Sequence, residues 1–371
     1  MNILIVEDIA SSTFGGAERT LRSYCEFLSK NHRLHFVYDR TGNYVRDQGD
    51  IYGTMNQISL LPYGAQSAAS WSRALFRLVR LCTQEKIDLV LTHVVHSVSM
   101  LRALRMLTRV RVAILFKWIC STERVGVQAE WGLRGLDCGV SVSNFVAEYW
   151  SRNGFPKHKM RVIPEGINTD LNGHSAGAIP ARDPNAKLVV GFAGRIVPEK
   201  GLHVLLDAVG RYKQSGKKVR CLVAGTFDPH AGNPSSRYHE ELRKQIDDLD
   251  LTSEVQFLGY VSPLDNWLRR LDLLVVPSLC QDAQPIVLLE AMVSKTPIVA
   301  SRVGGIPEMM SGQFARWMFK PGDVRDLYAM LINFDELTRL QKAQLGTMYR
   351  QHAVMNYSIQ NCHARLTEAL I

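Results

Sequence analysis

The apolar positions of this chain fall into short, nearly unbroken runs separated by stretches with helical spacing. NILIVE (2–7), RLHFVY (33–38), IDLVLT (87–92), VRVAIL (110–115), CGVSVS (138–143) and RVIP (161–164) are rich in Val, Ile and Leu, which predicts strands. Between them, stretches such as 17–30 place Leu21, Cys25 and Leu28 at helical spacing. The alternation lapses at NGHSAGAIPARDPN (172–185), a Gly-, Pro- and Ser-rich segment without apolar periodicity, which predicts a linker. It resumes with KLVVGFAG (187–194), VRCLVAG (219–225), VQFLG (255–259), LDLLVVPS (271–278) and PIVAS (297–301), with helical patterns at 200–214, 238–249, 285–294 and 323–333.

Strands that are apolar on both faces and alternate with helices are the pattern of parallel sheets covered on both sides. Two such series predict an α/β chain of two doubly wound, Rossmann-like domains facing a cleft, 1–172 and 173–371. The last helical segment, about 355–371, is expected either to close the second domain or to pack back on the first. A length of 371 residues is too great for one core and ordinary for two. Ligands of open parallel sheets bind beyond the carboxyl ends of the strands, so functional residues are expected just after the runs named above.

Composition narrows the function classes. No apolar run reaches the length that spans a bilayer. MNILIVED has no basic leader and meets acids at once, so we expect no signal peptide and a cytoplasmic protein. The seven cysteines are scattered without a C-x-x-C pair, which points to reduced thiols rather than a disulfide framework or a zinc site. The net charge is +9 and is concentrated between 71 and 111. Arg73, Arg77, Arg80, Lys86, Arg102, Arg105, Arg109 and Arg111 stand there against Glu85 and Asp88 alone. Such a surface suits an anionic partner. In WSRALFRLVRLC (71–82), Arg73, Arg77 and Arg80 share one helical face, the arrangement of a helix lying on an anionic bilayer or of an ordinary surface helix.

Three constellations carry chemistry. In GFAGRIVPEKG (191–201) a strand ends at Gly194, Arg195 and Lys200 occupy the following loop, and Gly201 opens a helix. Two cations and a helix start there suit a diphosphate and the charge that builds on it as it leaves. In SLCQDAQPIVLLEAM (278–292), Asp282 closes a loop, Pro285 suits a helix start, and the amides of Ile286 and Val287 lie at that start. Glu290 lies among aliphatic neighbours and needs polar partners, which a pair of sugar hydroxyls would supply. In IASSTFGGAERTL (9–21), Gly15 and Gly16 permit close backbone approach to a phosphate, or form a plain turn. A G-x-G-x-x-G fingerprint is absent after every strand, which excludes a nicotinamide dehydrogenase, and FGGAER together with the chain length excludes a phospho-receiver domain.

Taken together, GGAER (15–19), SVSNFVAEYW (141–150), VIPEGINTD (162–170), GFAGRIVPEKG (191–201), LVAGTFD (222–228), VQFLGYVS (255–262), LVVPSLCQDAQPIVLLEAM (274–292) and SRVGGIPE (301–308) resemble the retaining GT-B glycosyltransferases of the lipopolysaccharide, mannosyl and sucrose-phosphate type. The resemblance implies a metal-independent, anomer-retaining transfer from a nucleotide sugar without a protein nucleophile or cofactor. It implies that Arg195 and Lys200 hold the donor diphosphate, with Gly15, Gly16 and Gly194 beside it. Glu290 would take the ribose hydroxyls and Asp282 the hydroxyls of the transferred sugar. Gly225, Thr226, Tyr260 and Val261 would line the nucleobase pocket. His93 stands where many relatives carry a histidine after a first-domain strand, and Lys117 stands at a second such position.

The chain also departs from the pattern. Asp282 replaces a usual Glu, Gln284 an aromatic residue and Pro285 a Gly, while Lys295 and Glu165 stand at common Gly and Asn positions. These changes bear on which sugar is carried. The expected acceptor is a glycan or a lipid-linked sugar in surface polysaccharide or glycolipid synthesis, on or near the inner face of the membrane, with no nucleic acid partner. A transferase for a small soluble acceptor, a nucleotide-sugar epimerase and a degenerate binding protein fit the same residues.

Overall fold

The structure is a computed structural model and describes residues 1–7, 16–38, 51–60, 67–93, 95–116, 125–170, 188–227 and 233–371, excluding the side chains of 16–20 and 233–236. By contacts along the chain it divides into two units, Met1–Glu165 with Gln360–Ile371, and Gly166–Ile359. The division falls ahead of the 172/173 boundary expected from linker composition, and the Gly- and Pro-rich linker at 172–185 lies outside the described residues.

In the first unit β1 (Asn2–Glu7), β2 (Arg33–Tyr38), β3 (Thr54–Gln57), β4 (Leu89–Thr92), β5 (Arg111–Phe116), β6 (Cys138–Ser141) and β7 (Met160–Val162) form one sheet. Its order is β3-β2-β1-β4-β5-β6-β7 and every pair is parallel. The chain lays β2 and β3 outward on one side of β1 and then crosses back to place β4 on the other, so the order reverses between β1 and β4. The helices are α1 (Gly16–Leu28), α2 (Ala68–Gln84), α3 (Val98–Thr108), α4 (Val127–Arg134) and α5 (Asn144–Arg152). Ile3, Leu4, Ile5 and Val6 of β1 are fully buried, as a strand covered on both faces requires.

The second unit repeats the plan. β8 (Leu188–Ala193), β9 (Val219–Ala224), β10 (Val255–Gly259), β11 (Leu273–Val276), β12 (Ile298–Ser301) and β13 (Met318–Phe319) are ordered β10-β9-β8-β11-β12-β13, all parallel. The order reverses between β8 and β11, which is where a doubly wound sheet opens a crevice at its carboxyl edge. The helices are α6 (Leu202–Gln214), α7 (Asn233–Asp248), α8 (Asp265–Leu268), α9 (Ile286–Val293), α10 (Ile306–Met309), α11 (Val324–Asp335) and α12 (Arg339–Tyr357).

The last helix, α13 (Ile359–Leu370), is built into the first unit. Its Leu370 joins the core of that unit, Thr367 Oγ1 lies 3.4 Å from Tyr24 Oη, and the Cys138 thiol reaches Ala369 O. The His363 ring packs against Tyr24 and Phe27, with centroids 5.4 and 5.1 Å away.

Two edge strands lie outside the predicted runs. β3 reads TMNQ and β13 is two residues long, so neither carries an apolar run. Both sit at a sheet edge, where one neighbour suffices. The helices α3, α4 and α5 fill gaps between predicted strands, as the alternation implies, whereas α8, α10 and α12 match none of the helical segments named from the sequence.

Candidate active site

The loops after β8, β9 and β10 are tied to one another by backbone bonds. Gly194 N donates to Ala224 O (3.0 Å), Gly225 N to Gly259 O (2.7 Å) and Ile196 N to Thr226 O (3.0 Å). Arg195 leaves the end of β8 exposed to solvent, and Thr226 is exposed beyond β9. Tyr260 follows β10 with most of its surface exposed, while Val261 packs against the core.

After Arg195 the chain makes a short 3-10 turn, Pro198–Lys200, and passes through Gly201 at φ +71° into α6. A Cβ at Gly201 would stand 2.0 Å from Pro277 O, so only glycine lets this turn lie against the end of β11. The contact sets the reach of Lys200. Its Nζ donates to both oxygens of Asp282, 2.6 Å to Oδ1 and 2.8 Å to Oδ2. Both side chains are largely withdrawn from water.

Asp282 is held by more than the lysine. Ser278 Oγ donates to Asp282 Oδ2 (2.7 Å), and Ser301 Oγ at the end of β12 donates to Ser278 O (2.6 Å). Gly305 N donates to Asp282 O (2.8 Å), and Leu279 N donates to Glu199 O (2.8 Å). The ends of β8, β11 and β12 are thereby laced around one carboxylate at the point where strand order reverses. Cys280, beside it, is not a nucleophile in waiting. Burial pushes its thiol pKa up, the Asp282 charge adds to the rise, and the opposing Lys200 charge does not cancel it.

Pro285 caps α9, and Ile286 and Val287 form its first turn, where helical geometry supplies no partner for the amides. Gln284 is buried, and Glu290 is half-buried one turn further along a helix that buries Leu288, Leu289, Ala291, Met292 and Val293.

In the first unit the corresponding reversal lies between β1 and β4. Glu7 ends β1 and His93 follows β4; both are buried, with His93 Nε2 3.2 Å from Glu7 Oε2. Thr92 Oγ1 donates to Val6 O (3.2 Å) and fixes the strand ends beneath them. Gly16 is the first residue of α1, whereas Gly15 and Lys117 lie outside the described residues. Arg73, Arg77 and Arg80 are all exposed on α2, and Phe76 beside them is exposed as well.

Among the residues expected to bind a donor, the fold brings Lys200 and Asp282 into a direct ion pair and sets Gly194 against Gly225. Ser278, Ser301 and Glu7 were not expected. Each is a polar residue closing a predicted apolar run, which was the available signal; which strand ends become neighbours is supplied by the topology alone.

Two family models match the chain. One, described as Glycosyl transferases group 1, covers residues 187–334, and the other, described as Glycosyltransferase Family 4, covers 14–171. Each half of the chain thus matches a glycosyltransferase family, group 1 in the second half and Family 4 in the first. Among curated relatives it is 24% identical to a putative colanic acid biosynthesis glycosyltransferase, WcaL, of Escherichia coli K12, over 63% of this chain and 56% of that one. It is 28% identical to the lipopolysaccharide core biosynthesis mannosyltransferase LpsB of Rhizobium meliloti, over 59% and 61%. The match thus spans little more than half the length of these relatives. HepE of Anabaena, solved in complex with UDP, superposes with a TM-score of 0.82 at 19% identity, covering 100% of this chain and 99% of that one. The two parallel sheets accordingly form the GT-B fold.

Proposed function

We propose that this protein transfers a sugar from a nucleoside diphosphate donor to a glycan or lipid-linked acceptor in surface polysaccharide or glycolipid synthesis. The observation that carries the reading is the Lys200–Asp282 pair, fixed at the reversal between β8 and β11. The names of the relatives support the pathway class, and the UDP complex of HepE supports a nucleotide ligand.

In this reading Lys200 and Arg195 neutralise the diphosphate as it departs, in place of a metal ion. Gly15, Gly16 and Gly194 let backbone approach the phosphates, and the first amides of α9 at Ile286 and Val287 add partial positive charge. Glu290 accepts the ribose hydroxyls, and Asp282, with Gln284 and Pro285 beside it, contacts the transferred sugar. The base rests against Gly225, Thr226, Tyr260 and Val261. His93, held by Glu7, lies at the carboxyl edge of the first-unit sheet and serves the transfer from there. The anomeric configuration is retained. The acceptor reaches a protein resting on an anionic inner membrane face through Arg73, Arg77 and Arg80.

The test is a panel of UDP, GDP and ADP sugars followed by proton NMR of the product anomer, with and without EDTA. The reading expects one donor to be consumed, the product to keep the donor's anomeric configuration, and EDTA to leave the rate unchanged. An inverted product or a rate abolished by EDTA contradicts the corresponding part.

A further inference from the structure

Without a donor, the Lys200 ammonium is already matched. Asp282 gives it both carboxylate oxygens at 2.6 and 2.8 Å, the geometry of charge-assisted hydrogen bonds. The cation expected to meet the donor's diphosphate therefore faces an anion supplied by the protein. Oδ2 of the carboxylate also accepts from Ser278 Oγ at 2.7 Å, and Ser278 is anchored by Ser301. That second anchor does not depend on Lys200. The loop carrying Asp282 is set by Gly304, at φ +60°, where a Cβ would stand 2.1 Å from Asp282 O.

We propose that Asp282 is a placeholder for the donor diphosphate on Lys200, and that donor binding hands the lysine from the carboxylate to the phosphates. The handover presupposes the donor site described above. A diphosphate carries more negative charge than a carboxylate, so it takes the lysine from Asp282. Ser278 keeps the released carboxylate at the end of β11, where it faces the sugar attached to those phosphates. The Lys200 charge is thus balanced while the site is empty, and Asp282 becomes available to sugar hydroxyls only when a diphosphate is present. The pairing makes Asp282 a brake on the binding of nucleoside diphosphate and a contact for the complete donor.

The experiment is calorimetric titration of wild type, Lys200→Met, Asp282→Asn and the double variant with UDP, GDP and ADP. Asp282→Ser serves as a second uncharged replacement, and circular dichroism confirms folding. The placeholder predicts that Asp282→Asn and Asp282→Ser bind the preferred nucleoside diphosphate about tenfold more tightly than wild type while losing transfer activity. In the Lys200→Met background, removal of the carboxylate should change affinity by less than about twofold. Unchanged or weaker affinity in both Asp282 variants overturns the proposal and marks the pair as a brace of the loop. An equal gain in both backgrounds also overturns it, because general repulsion then suffices. A wild type that binds none of the three, or that binds them as Lys200→Met does, instead overturns the donor site itself.

Discussion

At the scale of single residues, backbone placement decides what the charged groups can do. Gly304 touches the Asp282 carbonyl so closely that a methyl group cannot be added without moving the loop. Gly304→Ala combines that clash with a left-handed backbone, which costs an L-residue about 1–2 kcal/mol. Its expected signature is a loss of transfer activity larger than the fall in thermal midpoint, read from initial rates and a melt on the same preparation. Glu290→Gln keeps the shape of the side chain and removes its charge. If Glu290 holds the donor ribose as proposed, this should lower kcat/KM by about a hundredfold with little change in melting temperature. In the first unit, His93→Phe leaves the buried Glu7 carboxylate without its imidazole. Leaving a buried polar group without a hydrogen-bond partner costs about 1–3 kcal/mol, to be seen as a lower urea midpoint. A variant as stable as wild type would show that the pair contributes nothing to folding.

At the scale of elements, the Asp137 turn before β6 shows how a polar residue fastens one connection. Asp137 accepts from Arg105 of α3 at 2.7 and 2.6 Å and from Val112 N of β5 at 3.0 Å. Burial acts to raise the Asp137 carboxyl pKa, but these bonds and the Arg105 and Lys159 charges outweigh it, and the net shift is downward. A carboxyl whose pKa is depressed on folding adds stability that is complete above its unfolded value, near 4, and is lost as pH falls through the folded value. Asp137→Asn should therefore lower stability at pH 7 by about 1–2 kcal/mol and by less at pH 3, measured as urea midpoints at the two pH values.

The strands of both sheets were legible because buried parallel strands are apolar on both faces, as in NILIVE and KLVVGFAG. The edge strands β3 and β13 were not, since an edge strand needs no such run. The helix α12 was missed for a different reason. It buries only Leu345, Gly346, Tyr349, Ala353 and Tyr357, a narrow stripe in a polar sequence, and is started by the Thr338–Gln341 capping box. At the site, Arg195, Lys200, Asp282 and Glu290 stood out by type and spacing. Ser278 and Glu7 did not, because their significance lies in which strands become neighbours, and only the topology supplies that.

At the scale of the whole molecule, charge and exposed apolar surface fall on the same helices. α2 packs beside α3 and exposes Arg73, Arg77, Arg80 and Phe76, and α3 exposes Met106 and Leu107. Among the described residues no helix is long and apolar enough to cross a membrane. Cosedimentation with phosphatidylglycerol vesicles should bind wild type at low salt and release it as salt rises, since exposed charges are screened. The triple change Arg73→Glu, Arg77→Glu and Arg80→Glu should abolish pelleting without changing the melting temperature. Pelleting of the triple variant equal to that of wild type would place any membrane contact elsewhere.

The central claim is that a sugar leaves a nucleoside diphosphate at the site organised by Lys200 and Asp282. Its most direct measurement is release of the nucleoside diphosphate from UDP, GDP and ADP sugars, with a cell-envelope glycolipid extract as acceptor, comparing wild type with Lys200→Met. Release from one donor by wild type, reduced about a hundredfold or more in the variant, is the expected result. No release from any donor, or equal release by both proteins, would contradict it.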